Sequence, residues 1–527
     1  MVITNMCSAE SIVGSKLFLP GIVKAQEKSK PLLKNDTVQS QKPKKGSSYR
    51  QILVALSANF GTINIGLVFG YPAVSLPQLQ SPTSRIFINK IQASWIASVS
   101  LIGTPCGSIL SGYLTDNLGR KKTLIATQLP AIIGWLMVGC ATSVEWIYIG
   151  RFLVGLGSGM MGAPSRVYTA EVSQPHLRGV LAGFASVGTS LGVMLEYLGG
   201  SVLNWDTLAI VNALVPTISL CVDCFIPESP SWLISSKNDE QKCMASLKRV
   251  RDSVCDVESE VNNLIVSSKN NTEPTLKEKL KLMCKPVTIK PFVILCLYFI
   301  INQYSGVNIV TSYAVDIIKD SGSTIDKYGA TVILGVIRLI FTIIGCSLMK
   351  KFGRKTLTYV SSVGCGISML CLGSYMFQLD SWKSQGMESQ ATWLPIMTLY
   401  TFYAASTIGY LIVPWVMIGE VYPNQIRGII GGLTTCVGHI TIFIVLQTYP
   451  LFQEWFTKPG TFLFYGLVSI TSTVFFYFFL PETKGRTLQE IGESFEKKKT
   501  PKIVKNVIIP DIVNNLPKNS SNNYVIV

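Results

Sequence analysis

Between residues 52 and 480 the chain holds twelve runs of predominantly apolar residues, each near the ~20 residues a helix needs to cross a bilayer's hydrocarbon core. They span 52–72, 93–114, 123–143, 147–170, 180–202, 207–226, 290–313, 328–349, 357–377, 393–418, 429–449 and 460–480. Inside a bilayer every backbone N–H and C=O must find its partner within the protein, so only helices and closed barrels span it. These runs are long and continuously apolar rather than alternating, which excludes a barrel. The expected class is an all-α membrane protein. Charged residues make up only 14% of the chain, against about 25% in a soluble domain.

The net charge of +16 would suit nucleic acid, but its placement argues against that partner. Lys and Arg collect in the N-terminal tail, the segment 234–289, the C-terminal tail and a few short loops. With both termini cytoplasmic these fall on one side, as the positive-inside rule expects. Lys90, Lys319 and Lys383 on the other side keep the bias moderate. Cys106, Cys140, Cys346, Cys365 and Cys436 lie inside apolar runs, where they behave as small hydrophobes. Cys221 and Cys224 form a C-x-x-C with no second ligand pair for zinc, so neither metal nor cofactor is expected. Residues 1–50 carry no signal-peptide pattern. The sequons at Asn35, Asn270 and Asn519 fall on segments expected in the cytoplasm and should be unmodified.

The chain is also written twice. GYLTDNLGRKK (112–122) is echoed by LMKKFGRKT (348–356), AEVSQPHLRG (170–179) by GEVYPNQIRG (419–428), and PESPSWL (227–233) by PETKGRT (481–487). The echoes recur in order, after the second, fourth and sixth helix of each half. Two parallel six-helix halves with a binding site between them are the architecture of a secondary transporter. The expected organisation is a tail 1–50, a six-helix half 51–233, cytoplasmic linker helices 234–289, a six-helix half 290–486 and a tail 487–527.

These motifs, with GRFLVGLGSG (150–159), NQYSGVN (302–308) and VPWVMIGEVYPNQIRG (413–428), resemble the sugar porter family of the major facilitator superfamily over about residues 50–495. Within it the MIGEVYP stretch is most similar to the arthropod facilitated trehalose transporters. The resemblance implies a carrier of a small neutral sugar, trehalose or a hexose, at the plasma membrane, with no obligate protein partner. A catalytic role is not expected, since no nucleophile–base pair or phosphate loop is present.

The charged turns supply cations and carboxylates in both halves. Asp116 can accept hydrogen bonds at the next helix start and pair with a cation. Arg120 and Lys121 can reach Glu171 and Glu228 in the first half, with Glu420 and Glu482 as counterparts in the second and Arg178, Arg354 and Arg427 as further cations. The resemblance implies a network that shuts the cytoplasmic side; the plainer alternative is that these charges set topology and anchor helix ends. The second half departs from the family by placing Lys350 where an Asp is usual.

Polar groups at membrane depth mark a pathway. The run 290–313 carries Asn302, Gln303, Ser305, Asn308 and Tyr313, several near one helical face, with Gly306 able to allow a bend. Amides both donate and accept, which suits sugar hydroxyls. The resemblance places Asn302, Gln303, Asn308 and Trp415 at sugar contacts. LIVPW (411–415), Thr407, Ser186 and His439 replace the Pro-rich turn, Glu, Gln and Trp of glucose transporters. Arg338 stands mid-helix where those have Asn. It is expected to donate to substrate oxygens from a hydrated cavity, with a structural role or an anionic substrate as alternatives. His439 can line the pore or titrate. Pro72 occupies the place of the Asp that proton-coupled relatives carry. The expected mode is passive transport, with symport through Glu196 or His439, or a sugar-sensing role, as alternatives.

Overall fold

The apolar runs form helices in the computed structural model, which describes residues 48–252, 256–270, 276–423, 425–486 and 488–495. Most of the two expected tails, with Asn35 and Asn519, lies outside the described residues, as do the side chains of Asn270 and Lys350. Among the described residues ten helices are long and apolar enough to cross a membrane. Three of the expected spans need separate comment. Val144–Val172 has the length, at 29 residues, but is diluted by glycines and by Arg151 and Arg166. The 53-residue stretch Arg427–Phe479 holds the last two expected spans and breaks at Thr457, with φ 64° and ψ 169°, between Pro450 and Pro459. Run straight at ~1.5 Å per residue, it would far exceed the ~30 Å hydrocarbon core.

Close helix packing comes from small residues. A Cβ on Gly155 would lie 1.9 Å from the Ser100 carbonyl oxygen, and one on Gly159 2.0 Å from that of Thr104. GRFLVGLGSG therefore lets Val144–Val172 lie backbone to backbone against Ser100–Leu118, the usual device where lipid removes the hydrophobic drive for helix association. Arg151 is fully buried at this junction. It donates to the carbonyls of Ile96 and Val68 at 3.1–3.2 Å and to Ser100 Oγ, with its guanidinium over the Tyr71 ring. Exposed apolar side chains such as Leu129 and Ile133 suit lipid.

Two helices are broken at mid-depth. Pro286–Tyr304 ends at Gly306, whose φ of 88° and ψ of 4° are left-handed, and Val307–Asp320 resumes beyond it. Leu394–Ile408 stops at Gly409, and Val413–Val421 begins after a short turn. Asn302 Nδ2 donates to the Tyr410 carbonyl and joins the two breaks.

Between the halves, helices Pro230–Lys237, Glu240–Val250 and Val257–Asn270 form a small bundle around Trp232, Leu233, Cys243, Leu247 and Val261. Arg251 ties it to the charged-turn face, bonding both oxygens of Glu260 at 2.6 and 2.9 Å and the Val172 carbonyl at 2.7 Å.

Candidate functional site

The repeated turns match residue by residue. Gly119 (φ 96°, ψ 167°) and Gly353 (φ 83°, ψ 174°) each precede a helix that begins Arg-Lys. Neither glycine can cap its helix with a side chain, so a distant carboxylate does. Glu228 accepts the N–H groups of Arg120 and Lys121 at 2.9 and 3.0 Å, and Glu482 those of Arg354 and Lys355 at 3.0 Å. An anion at a helix N-terminus meets both the free N–H groups and the positive end of the dipole. Burial pushes the Glu482 carboxyl up, but the N–H groups of Lys484, Arg354 and Lys355 and the Arg354 charge outweigh it and hold the group below its ordinary value.

The side chains repeat as well. Arg120 binds Glu171 bidentately at 2.9 and 3.0 Å, and Arg354 binds Glu420 at 2.5 Å. Ser229 donates to Glu171 and Thr483 to Glu420. Lys121 and Lys355 each donate to a helix-end carbonyl at 2.7 Å, that of Cys224 or Tyr477. The expected side-chain pairing of Glu228 and Glu482 is therefore corrected: both act through backbone N–H groups. Asp116 is largely exposed and only 3.9 Å from Arg120, a loose contact. Arg427 donates to the Tyr422 carbonyl at 3.2 and 3.3 Å, while Arg178 is exposed and in no ion pair among the described residues.

A cavity of about 1180 Å³ runs between the halves from this face to mid-depth. Asp116, Arg120, Glu171, Lys279 and Arg427 line its mouth, and Asn302, Gln303, Asn308, Arg338, Trp415 and His439 its inner part. The opposite face is closed where Ser98 Oγ donates to Gln447 Oε1 at 2.8 Å and Trp95 packs on Phe443. Deeper, Tyr197 donates to the Thr311 carbonyl at 2.7 Å and Ser190 meets Thr342 at 2.7 Å, both across the halves.

In the inner cavity Asn308 Nδ2 donates to Gln303 Oε1, and Asn302 Oδ1 is buried without a partner. Trp415 stands edge-on to Phe299 and 5.5 Å from the His439 ring, whose Nδ1 meets the Thr435 carbonyl at 2.9 Å. Arg338 reaches Thr311 Oγ1 at 3.2 Å and lies over Tyr403. Ser186 also lines the cavity. Tyr313 does not. It lies past Asn308 at a kink of its own (φ −128°, ψ 22°) and packs against Tyr449 with its hydroxyl unpartnered. Thr407 is buried on its own helix's carbonyls.

Sequence reasoning missed three groups. Arg166 lines the cavity, 5.5 Å from the Trp415 ring centroid. Arg151 pins three helices together. Each was visible as a lone Arg in the apolar run 147–170. Asp223, bonded by Gln128 and Ser219 at 3.4 Å, joins Glu196 as a buried carboxylate. Glu196 takes a 3.2 Å bond from Asn212 and does not line the cavity.

Two repeated helical halves enclosing a cavity that polar and charged side chains help to line, with broken helices beside it, define a membrane carrier of the major facilitator type. Residues 26–495 match the family described as sugar (and other) transporter, and the chain belongs to that family. It is 30% identical over 456 residues to the facilitated trehalose transporter Tret1 of Culex quinquefasciatus, covering 86% of this chain and 87% of that one. It is 31% identical over 469 residues to a Tret1-2 homolog of Drosophila sechellia, covering 88% and 95%. It spans 55% of the length of the Aedes aegypti Tret1, at 31% identity over 84% of this chain. Its fold is similar to the proton:xylose symporter XylE bound to 6-bromo-6-deoxy-D-glucose, with a TM-score of 0.69 and 22% identity over 85% of this chain and 100% of that one. Inward-open XylE from E. coli gives a TM-score of 0.67 and 22% identity over 84% and 99%.

Proposed function

We propose that the chain is a passive carrier of a sugar of one or two rings across the plasma membrane, with trehalose and the hexoses as candidates. The observation that carries this reading is the cavity of about 1180 Å³ that reaches from one face to Asn302, Gln303, Asn308 and Trp415 and stops there. Pockets for small molecules usually hold ~300–1,000 Å³, so a disaccharide is accommodated. Amides and hydroxyls supply donors and acceptors for sugar hydroxyls, and the Trp415 ring supplies an apolar face.

On this reading the charged-turn face is cytoplasmic, with both termini, and the twelve spans form two halves that rock about the closed opposite face. Arg120–Glu171 and Arg354–Glu420 stay within their own halves while the charged-turn face is open. They brace each turn as a rigid unit, and closure brings the two units together. Passive rather than proton-coupled movement is supported by Pro72 in the first span and by Glu196 lying away from the cavity.

The test is counterflow by purified protein in liposomes, comparing labelled trehalose and glucose with and without an imposed proton gradient. Exchange that ignores the gradient is expected. Accumulation driven by the gradient replaces passive transport with symport, and no exchange of any sugar, neutral or acidic, removes the carrier reading.

A further inference from the structure

The inner cavity holds two arginines that no carboxylate balances. Arg338 is 5% exposed, and its Nε is buried without a hydrogen-bond partner. Its guanidinium donates to the neutral Thr311 hydroxyl at 3.2 Å and lies 6.0 Å from the Tyr403 ring centroid. Arg166 comes from the other half and is exposed to the cavity, its guanidinium set against Trp415. Neither is in an ion pair among the described residues. His439, beside the same Trp415, adds no negative charge.

The whole cavity is biased the same way. Its lining includes the guanidiniums Arg120, Arg166, Arg338 and Arg427 and the carboxylates Asp116 and Glu171. Both carboxylates are already engaged by Arg120 at the mouth, Glu171 at 2.9 Å and Asp116 at 3.9 Å. Glu196 and Asp223, the carboxylates classed as buried among the described residues, are held by Asn212, Gln128 and Ser219 and do not line it.

A guanidinium cannot neutralise itself by losing a proton. At membrane depth it is costly unless water or an anion answers it. An amide at position 338 would serve a neutral sugar without that cost. Two guanidiniums that line one cavity with the amides of Asn302, Gln303 and Asn308 and the Trp415 ring instead match a ring-sized polyol that carries an oxyanion, since planar N–H forks bind carboxylate and phosphate oxygens bidentately.

We propose that the substrate of this cavity is a sugar bearing one acidic group, a carboxylate or a phosphate ester, with Arg338 and Arg166 as the residues that select it. This rests on the carrier reading above and sharpens its substrate. Net negative charge on the substrate is offset by the two cations at mid-depth, and the polyol part meets the amides and Trp415.

The experiment is counterflow with full-length protein in liposomes, using labelled D-glucuronate, glucose 6-phosphate, D-glucose and trehalose. One acidic probe should exchange at least tenfold faster than either neutral sugar. Arg338→Gln and Arg166→Gln should each reverse that preference, and Arg338→Lys should keep it in part. Thermal unfolding guards against a variant that folds poorly: the acidic probe should raise the Tm of the native protein and of Arg338→Lys, and glucose should not. Exchange of glucose or trehalose without either acidic probe overturns the proposal and leaves the carrier reading standing. Exchange of none of the four overturns both.

Discussion

Glu228 and Glu482 hold the same place in the two halves, each closing the N-terminus of an Arg-Lys helix through two backbone N–H groups at 2.9–3.0 Å. The residues are 254 positions apart in the chain, yet each accepts the same two donors from a helix that begins after a left-handed glycine. The repeat is thus one of hydrogen bonds and not only of letters. It fixes the turn that carries Arg120 or Arg354 toward its carboxylate, and so ties helix ends to the ion pairs beside the cavity mouth.

Replacing the Glu482 carboxylate should cost stability in a pH-dependent way. Its group titrates below its ordinary value when folded, so its contribution is full above the unfolded carboxyl pKa near ~4.3 and is lost as pH falls through the folded pKa. Hydrogen bonds to a charged group are each worth about 1.5–3 kcal/mol before solvent exposure discounts them. Glu482→Gln should therefore lower stability at neutral pH by about 1–2 kcal/mol, after that discount. The gap from the native protein should narrow in acid. Thermal unfolding at a series of pH values reads both.

Alanine at either turn glycine should be harmful. A Cβ on Gly119 would sit 2.5 Å from Glu228 Oε2, and one on Gly353 2.5 Å from Glu482 Oε2. Both backbones also lie in a region nearly reserved for glycine, at a cost of about 1–3 kcal/mol for other residues. Gly119→Ala and Gly353→Ala should lower Tm and yield of folded protein. Gly112→Ala, with nothing within 4 Å of its Cβ, should be neutral or mildly stabilising.

Trp415 should matter through its ring. Removing an aromatic face that meets a sugar costs about 0.5–1.5 kcal/mol beyond lost area. Trp415→Ala should weaken substrate binding about three- to tenfold or more, and Trp415→Phe should weaken it less. Equilibrium binding to purified protein gives the ratio.

Tyr313 should be dispensable for the substrate. Its hydroxyl is buried without a partner and faces Tyr449 rather than the cavity. Removing an unpaired buried hydroxyl relieves a desolvation cost. Tyr313→Phe should leave affinity unchanged and hold or raise Tm. A several-fold loss of affinity would place the residue in the site after all.

What the sequence disclosed followed from periodicity and repetition. Apolar runs of membrane length and three ordered echoes were enough for the helical class and for the residues of the charged turns. The partner of each group was less legible. Glu228 looks like any carboxylate near cations, and only the fold shows that it meets the N–H groups of Arg120 and Lys121. Tyr313 follows Asn308 on an ideal helix, but the left-handed Gly306 and the distorted Tyr313 backbone, at φ −128° and ψ 22°, spoil the extrapolation. Arg151 and Arg166 are indistinguishable as letters in one apolar run. One is satisfied by carbonyls and the other faces the cavity, which depends on which neighbouring helix each side chain meets.

The most direct test of alternating access joins the closed face by a short thiol-reactive cross-link between Ser98→Cys and Gln447→Cys, positions whose side chains now meet at 2.8 Å. The same variant is assayed for sugar counterflow before linking, after linking and after reduction. The account predicts that the link abolishes exchange, that reduction restores it, and that substrate still binds from the charged-turn face while the link is in place. Undiminished exchange by fully linked protein would contradict it.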